Sequence, residues 1–208
     1  TPIRSSAASD VYKRQLILRA GALPAPLIVM EERSIGPGLG ADSVAAGQVA
    51  AIVGLVLVII YMILSYGFFG VLANIALAVN ITLILGTLSF IQATLTLPGI
   101  AGIVLTMGMA VDANVLVFER IREELRRGRN VMAAIEGGYQ RAISTIIDSN
   151  LTTLFAALFL YGFGSGPIRG FAVTLAIGII TSLFTAVMVT RMLIIIWLER
   201  KRPRELVL

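Results

Sequence analysis

Residues 108–129, GMAVDANVLVFERIREELRRGR, run from an apolar helical pattern into a block of arginines and glutamates and hold one carboxylate, Asp112, inside the apolar part. No charged residue occurs between Asp42 and Asp112. Apolar runs of about 18 or more residues are typical of helices that cross a membrane. The stretch therefore predicts an all-α membrane protein, in which Asp112 is the exception that requires a reason.

The composition supports this fold class and excludes several functions. The 208 residues are 57% hydrophobic and 14% charged, whereas a soluble domain carries about 25% charged residues. Cysteine and histidine are both absent, which argues against disulfides, a zinc site, and a histidine base. Lys13 and Lys201 are the only lysines, and neither follows a phosphate-binding glycine loop. We expect no enzymatic activity, no metal and no cofactor, with protons as the coupling ion.

Hydropathy predicts a bundle of five transmembrane helices between residues 44 and 198. Only a tight turn separates the first two, so they should form an antiparallel hairpin. Apolar residues at helical spacing in the charged connection 120–144 also predict a short interfacial helix. The five spans are about 44–66, 68–91, 98–119, 145–161 and 168–198.

The arginines predict the orientation of the bundle. They are concentrated in the connection 120–144 and in the tail 199–208, whereas the other connections hold no positive charge. The positive-inside rule places both on the cytoplasmic side, which explains the net charge of +5 without a nucleic-acid partner. The determinants in the connection are Arg120, Arg122, Arg126, Arg127 and Arg129.

The N-terminal residues differ from the rest of the chain. Residues 16–43 mix charges, prolines and glycines, which is typical of the end of an extramembrane domain followed by a linker. Residues 1–15 contain SSAASDVYKRQ, a string typical of artefactual sequence starts, and are interpreted as non-native or disordered. No signal peptide is visible, so we expect the natural N-terminus to be missing.

Asp112 is the main candidate for function. It lies about 20 Å along its helix from Pro98, at 1.5 Å per residue, which is inside the hydrocarbon layer. A central Asp costs about 2.5–3.5 kcal/mol on insertion scales, so it should face protein or water. Such a carboxylate can bind and release a proton as its exposure changes. The alternative is a static Asp that only hydrogen-bonds between helices, and nearby Asn114 is interpreted as packing.

A second polar cluster opens the predicted fourth span, and its candidates for polar support of Asp112 are Asp148, Asn150 and Thr152. Helix capping and local packing are the alternative role, since Asp and Asn suit a helix N-terminus. The charged run 119–127 is interpreted as a solvated helical extension with pairs at i, i+3 and i, i+4.

Residues 108–129 closely resemble the fourth membrane helix and following loop of the SecD family of the bacterial Sec protein-export machinery. Supporting matches are LRAGALPAPL at 18–27, EERSIGPGLGADS at 31–43, DSNLTTL at 148–154 and GSGPIRGFAVTLAIGI at 164–179. The family belongs to the resistance–nodulation–division superfamily. The resemblance implies that this chain carries the last five helices of one half of a pseudosymmetric twelve-helix assembly, with the first helix and periplasmic domain missing.

The resemblance also implies a function and partners. Asp112 matches the family's proton-path aspartate, and the cationic partner would come from SecF. The SecYEG channel, YajC, membrane lipid and exported preproteins are the other implied partners, in the bacterial inner membrane with a cytoplasmic C-terminus. We expect a subunit driven by the proton-motive force that assists movement or release of preproteins. The alternatives are a proton-coupled exporter of small molecules or lipids, and a non-transporting scaffold of the Sec channel.

Overall fold

The computed structural model describes residues 37–201 together with Val11 and Gln15. The chain divides into two compact units, Thr1–Pro37 and Gly38–Leu208. The prediction for residues 1–15 lies outside the described residues apart from Val11 and Gln15. The predictions for residues 16–36 and for the tail beyond Lys201 also lie outside them.

Residues 37–201 form helices and short turns, without a strand. Four continuous helical stretches in this part of the chain are long and apolar enough to cross a membrane, which confirms the predicted all-α membrane fold. The elements are α1 (Pro37–Phe90), α2 (Leu97–Arg126), α3 (Val131–Phe163), α4 (Pro167–Phe184), a π-helical turn (Thr185–Val189) and α5 (Thr190–Lys201).

Helix α1 contains the predicted hairpin. Its backbone leaves the helical conformation at Gly67, with φ 53° and ψ −123°, a region that glycine adopts without steric cost. Beyond this point the chain runs back antiparallel to the preceding helix. The hydrogen bond from the Asn74 side chain to the Ile59 carbonyl, at 3.2 Å, shows this reversal. A Cβ at Gly70 would overlap the carbonyl oxygen of Met62. The first two predicted spans are therefore the two antiparallel arms of α1, 37–66 and 68–90, which are joined at Gly67.

Helix α3 corrects the prediction of a separate interfacial helix. Residues from Val131 onward continue without a break into the fourth apolar span and end at Phe163. The helix starts at Asn130, whose side chain accepts from the Ala133 amide at 2.8 Å. A glycine is needed at position 138 because α3 packs closely against α2 there. An added Cβ would lie 2.8 Å from the backbone nitrogen of Ile121. The connection between α2 and α3 is therefore only residues 127–130.

Helices α2 and α4 pack closely along a row of glycines and threonines. A Cβ at Gly178 would overlap Thr106, and one at Gly102 would lie 3.4 Å from Thr174. Thr106 and Thr174 are buried and donate their hydroxyl protons to carbonyls of their own helices. Small residues that allow backbones to approach are the usual means of helix association in membranes, and they bring α4 against the helix that carries Asp112.

A π-helical turn separates α4 from α5 and is held from the side by α2. The Thr190 hydroxyl lies 2.9 Å from the Asn114 amide oxygen and 3.1 Å from the Thr185 carbonyl oxygen. Asn114 and Thr190 are buried, with 2% and 0% of their surface exposed. Asn114 therefore joins two helices by a side-chain hydrogen bond, in keeping with its interpretation as a packing residue.

We expect Asn114→Ala and Thr190→Val to be coupled in their effects on stability. Hydrogen bonds between membrane helices contribute about 0.6 kcal/mol on average and about 1.7 kcal/mol at most in double-mutant cycles. Each variant and the double variant would be unfolded with sodium dodecyl sulfate in mild detergent. A coupling energy near zero would contradict a stabilising contact between the two side chains.

Aromatic side chains gather three chain segments at one end of the bundle. The Phe118 ring lies 5.5 Å from Tyr66 and 5.7 Å from Phe69. Trp197 of α5 lies 4.9 Å from Phe68. The turn at residue 67, the charged end of α2 and the C-terminal end of α5 are thus on the same end, as the orientation derived from the arginines requires.

Candidate functional site

Asp112 lies on the wall of a pocket between α2 and α3. The pocket has a volume of about 290 Å³, and polar groups from α3 stand across from the carboxylate. In the chain alone the side chain is exposed, and no residue in the described ranges forms an ion pair with it. The lining residues are Met109, Asp112, Ala113, Leu116, Ile146, Ser149, Asn150 and Thr153.

The polar side chains of α3 donate hydrogen bonds to backbone carbonyls of their own helix. The Ser149 hydroxyl donates to the Ile146 carbonyl at 3.1 Å, and the Thr153 hydroxyl to that of Ser149 at 3.1 Å. Asn150 donates one amide N–H to the Ile146 carbonyl at 2.8 Å. A hydroxyl has one proton to donate but two lone pairs. The pocket therefore offers the Asp112 carboxyl group mainly acceptor oxygens, which suit a protonated acid or a water molecule.

Two of the predicted supporting residues do not join this pocket. Asp148 and Thr152 are exposed on another face of α3, where the Thr152 hydroxyl donates to the Asp148 carbonyl at 2.9 Å. The alternative of helix capping is also wrong for Asp148, because the cap of α3 is Asn130. Of the predicted cluster, the structure brings only Asn150 to Asp112.

Sequence reasoning missed Ser149 and Thr153, although their spacing carried a signal. Ile146, Ser149, Asn150 and Thr153 recur at intervals of three and four, which places them on one side of a helix. Asp148 and Thr152 each precede a pocket residue by one position. They therefore lie about 100° further round the helix axis. The helical period of 3.6 residues therefore separates the face of Ser149 and Thr153 from the face of Asp148 and Thr152.

The charged end of α2 holds the predicted pairs and one buried acid. Arg120 lies 2.9 Å from Glu123, and Arg122 lies 2.6 Å from Glu119. Glu124 has 0% exposure, so the description of the whole run as solvated is wrong for this residue. The helix ends beside α3, where a Cβ at Gly137 would lie 3.4 Å from a carboxylate oxygen of Glu124.

Three arginines surround the Glu124 carboxylate. The nitrogen–oxygen distances are 3.1 Å for Arg127, 2.9 Å for Arg129 and 2.9 Å for Arg141. Arg127 and Arg129 come from the connection and Arg141 from α3, so the carboxylate of α2 ties together the end of the helical pair that carries the pocket. Arg126 is exposed and makes no ion pair with the described residues.

No group of three acidic, histidine or cysteine side chains in residues 37–201 is arranged to hold a metal ion. The pocket instead combines a single carboxylate, an apolar lining and hydrogen-bond acceptors inside a helical bundle.

The family model for the protein export membrane protein SecD/SecF, C-terminal, matches residues 25–200. The chain belongs to the SecD/SecF family. This confirms the resemblance noted from residues 108–129 and the other motifs. It also accounts for the all-helical architecture, since the matched region covers α1–α4, the π-helical turn and all of α5 but its last residue.

Curated relatives place the chain close to the SecD members of the family. It is 55% identical over 197 residues to protein translocase subunit SecD of Magnetococcus marinus, a match covering 95% of this chain and 38% of the relative. It is 59% identical over 191 residues to the Rickettsia typhi protein of the same name, with coverages of 92% and 37%. The chain thus spans less than two fifths of the length of these SecD relatives.

Solved structures support the same family assignment. A crystal structure of SecDF, a translocon-associated membrane protein from Thermus thermophilus, matches with a TM-score of 0.83 at 46% identity, covering 93% of this chain and 27% of that one. SecDF in a super-membrane-facing form matches with a TM-score of 0.75 at 48% identity, over 89% of this chain and 26% of that one. The arrangement of α1–α5 is therefore that of a SecD/SecF membrane domain.

Proposed function

We propose that the intact protein is a subunit of the Sec protein-export machinery that uses the proton-motive force to assist movement or release of preproteins across the cytoplasmic membrane. The observation that carries this proposal is the position of Asp112, the one carboxylate in the apolar part of α2, on the wall of a pocket that also holds Ser149, Asn150 and Thr153. Ionisable groups inside membranes are costly, and they usually mark ion or proton pathways. The proposal is of transport, without an enzymatic reaction or bound cofactor.

In the proposed cycle, Asp112 binds a proton from the outer side and releases it inward. The acceptor oxygens of Ser149 and Thr153 would stabilise the protonated acid, and the ionised form would face water or a cation. Each elementary charge that crosses the membrane gains about 2.3 kcal/mol per 100 mV. That energy is enough to bias two packings of a helical bundle when the step is repeated.

The partners are proposed on the basis of the resemblance. SecF would supply the cation opposite Asp112, and the SecYEG channel, YajC and exported preproteins would complete the system. The bundle would lie in the bacterial inner membrane with α5 ending on the cytoplasmic side. The ion pairs around Glu124 connect α2 to the connection and α3 at the end proposed to be cytoplasmic.

The proposal is tested by the energy dependence of export in membrane vesicles that contain the full-length protein and its partners. With ATP held constant, a protonophore should slow completion of preprotein transport in these vesicles. Vesicles depleted of the protein should be slower and should lose the part of the protonophore effect that depends on it. Equal protonophore sensitivity in both preparations would favour a non-transporting scaffold.

A further inference from the structure

The arginine cluster around Glu124, formed by Arg127, Arg129 and Arg141, has binding capacity that its internal ion pairs do not use. We propose that this cluster binds the phosphate group of an anionic phospholipid at the membrane surface. The inference concerns the charged end of α2 and α3, and it does not depend on the proposed proton cycle.

Charge at this end of the bundle exceeds what the internal pairs require. Residues 119–141 hold six arginines and four glutamates. Glu123 is shared between Arg120 and Arg127, at 2.9 and 2.7 Å. Glu123 and Glu124 together pair with four arginines, Arg120, Arg127, Arg129 and Arg141. The cluster therefore keeps a net positive charge that a phosphate would complement.

The guanidinium groups are both held and accessible. Glu124 is buried, whereas the side chains of Arg127, Arg129 and Arg141 are 48%, 50% and 45% exposed. Arginine has five N–H donors. Arg141 approaches Glu124 through one terminal nitrogen, and Arg129 through its Nε atom without the alignment of a hydrogen bond. The remaining donors of these two residues can meet a ligand from solvent.

The floor of the cluster is built by a glycine. A Cβ at Gly137 would lie 3.2 Å from a terminal nitrogen of Arg129 and 3.4 Å from a carboxylate oxygen of Glu124. The absence of a side chain lets the Arg129 guanidinium lie against α3, one turn before Arg141. Arg129 and Arg141 are thereby fixed around the same buried anion, so that less side-chain entropy is lost when a phosphate binds.

The position of the cluster relative to the membrane favours a lipid as the source of the phosphate. Glu124 follows Glu119, the end of the predicted third span, by five residues, or about 8 Å of helix at 1.5 Å per residue. The headgroup layer occupies about 5–8 Å on each side of the hydrocarbon core. The cluster thus stands at headgroup level, where basic groups between membrane helices recognise anionic lipids.

The test is thermal unfolding of the full chain in detergent, with phosphatidylglycerol, phosphatidylcholine or inorganic phosphate added. We expect phosphatidylglycerol to raise the unfolding midpoint by about 3 °C or more, and the other two to have little effect. Arg126→Gln should keep the response, since Arg126 lies outside the cluster. The double variant Arg129→Gln with Arg141→Gln should lose most of it.

A second pair of variants covers the case in which the double variant does not fold with Glu124 left unpaired. Glu124→Gln alone should keep the response to phosphatidylglycerol, whereas Glu124→Gln combined with both arginine substitutions should lose it. An undiminished response in the triple variant would overturn the proposal. Stabilisation by inorganic phosphate as large as that by the lipid would overturn the assignment to a lipid headgroup.

Discussion

Asp112→Asn is expected to reduce preprotein export by the intact protein to the rate measured after the proton gradient is collapsed. Asparagine has nearly the same size as aspartate, but it cannot bind and release a proton near neutral pH. Membrane insertion should be retained, because a neutral amide costs less to place in lipid than an aspartate, for which the cost is about 2.5–3.5 kcal/mol. The measurement is completion of transport in energised vesicles that contain the partner subunits, with and without a protonophore.

Asp148→Asn is the matched control for this substitution. It makes the same chemical change in the neighbouring helix α3, at an exposed position that does not line the pocket. We expect it to retain gradient-dependent export. Normal export by Asp112→Asn would reject the proposed mechanism, and equal loss in both variants would show that the pocket has no special role.

Gly70→Ala is expected to lower the free energy of unfolding by about 3 kcal/mol or more, at or beyond the usual limit for overpacking. The added Cβ would overlap the carbonyl oxygen of Met62, and a backbone atom cannot move aside as a flexible side chain can. The two arms of α1 would have to separate around the turn at Gly67. Unfolding with sodium dodecyl sulfate in mild detergent measures the change.

Gly86→Ala provides the control in the same arm of α1. No atom lies within 4 Å of a Cβ at Gly86, and alanine favours a helix over glycine by about 1 kcal/mol. This variant should be as stable as the original chain or more stable. If Gly70→Ala unfolded no more readily than Gly86→Ala, the result would contradict the close contact between the two arms of α1.

The broad architecture was predictable because it depends on one-dimensional patterns. The absence of charge before Asp112 and the lengths of the apolar runs predict the spans, and the short polar segments predict where the chain turns. Asp112 itself could be identified as the residue that contradicts its surroundings. These inferences require only the cost of placing charge or unpaired backbone groups in lipid.

Other features depend on contacts that the sequence does not contain. Gly137 and Gly138 would suit the end of a helix, but both lie inside α3, where Gly138 packs against Ile121 of α2 and Gly137 against Arg129 and Glu124. Glu124 resembles its half-exposed neighbour Glu123 in sequence, and only the arginines from the connection and from α3 explain its burial. The pocket residues Ser149 and Thr153 become candidates only after α3 is oriented toward Asp112.

The π-helical turn at Thr185–Val189 determines which residues of the last membrane segment face the interior of the bundle. Its wider hydrogen-bonding loop accommodates one additional amino acid, which shifts the angular phase of everything that follows by about 100° relative to an uninterrupted α-helix. Ala186, Thr190, Ile194 and Leu198 are all buried in the fold with this shift in place. The inward-facing residues from Pro167 to Lys201 therefore follow two separate helical phases. Relaxation of the π-helical turn to a regular α-helix, with the sequence unchanged, would rotate Ile194 and Leu198 out of the interior.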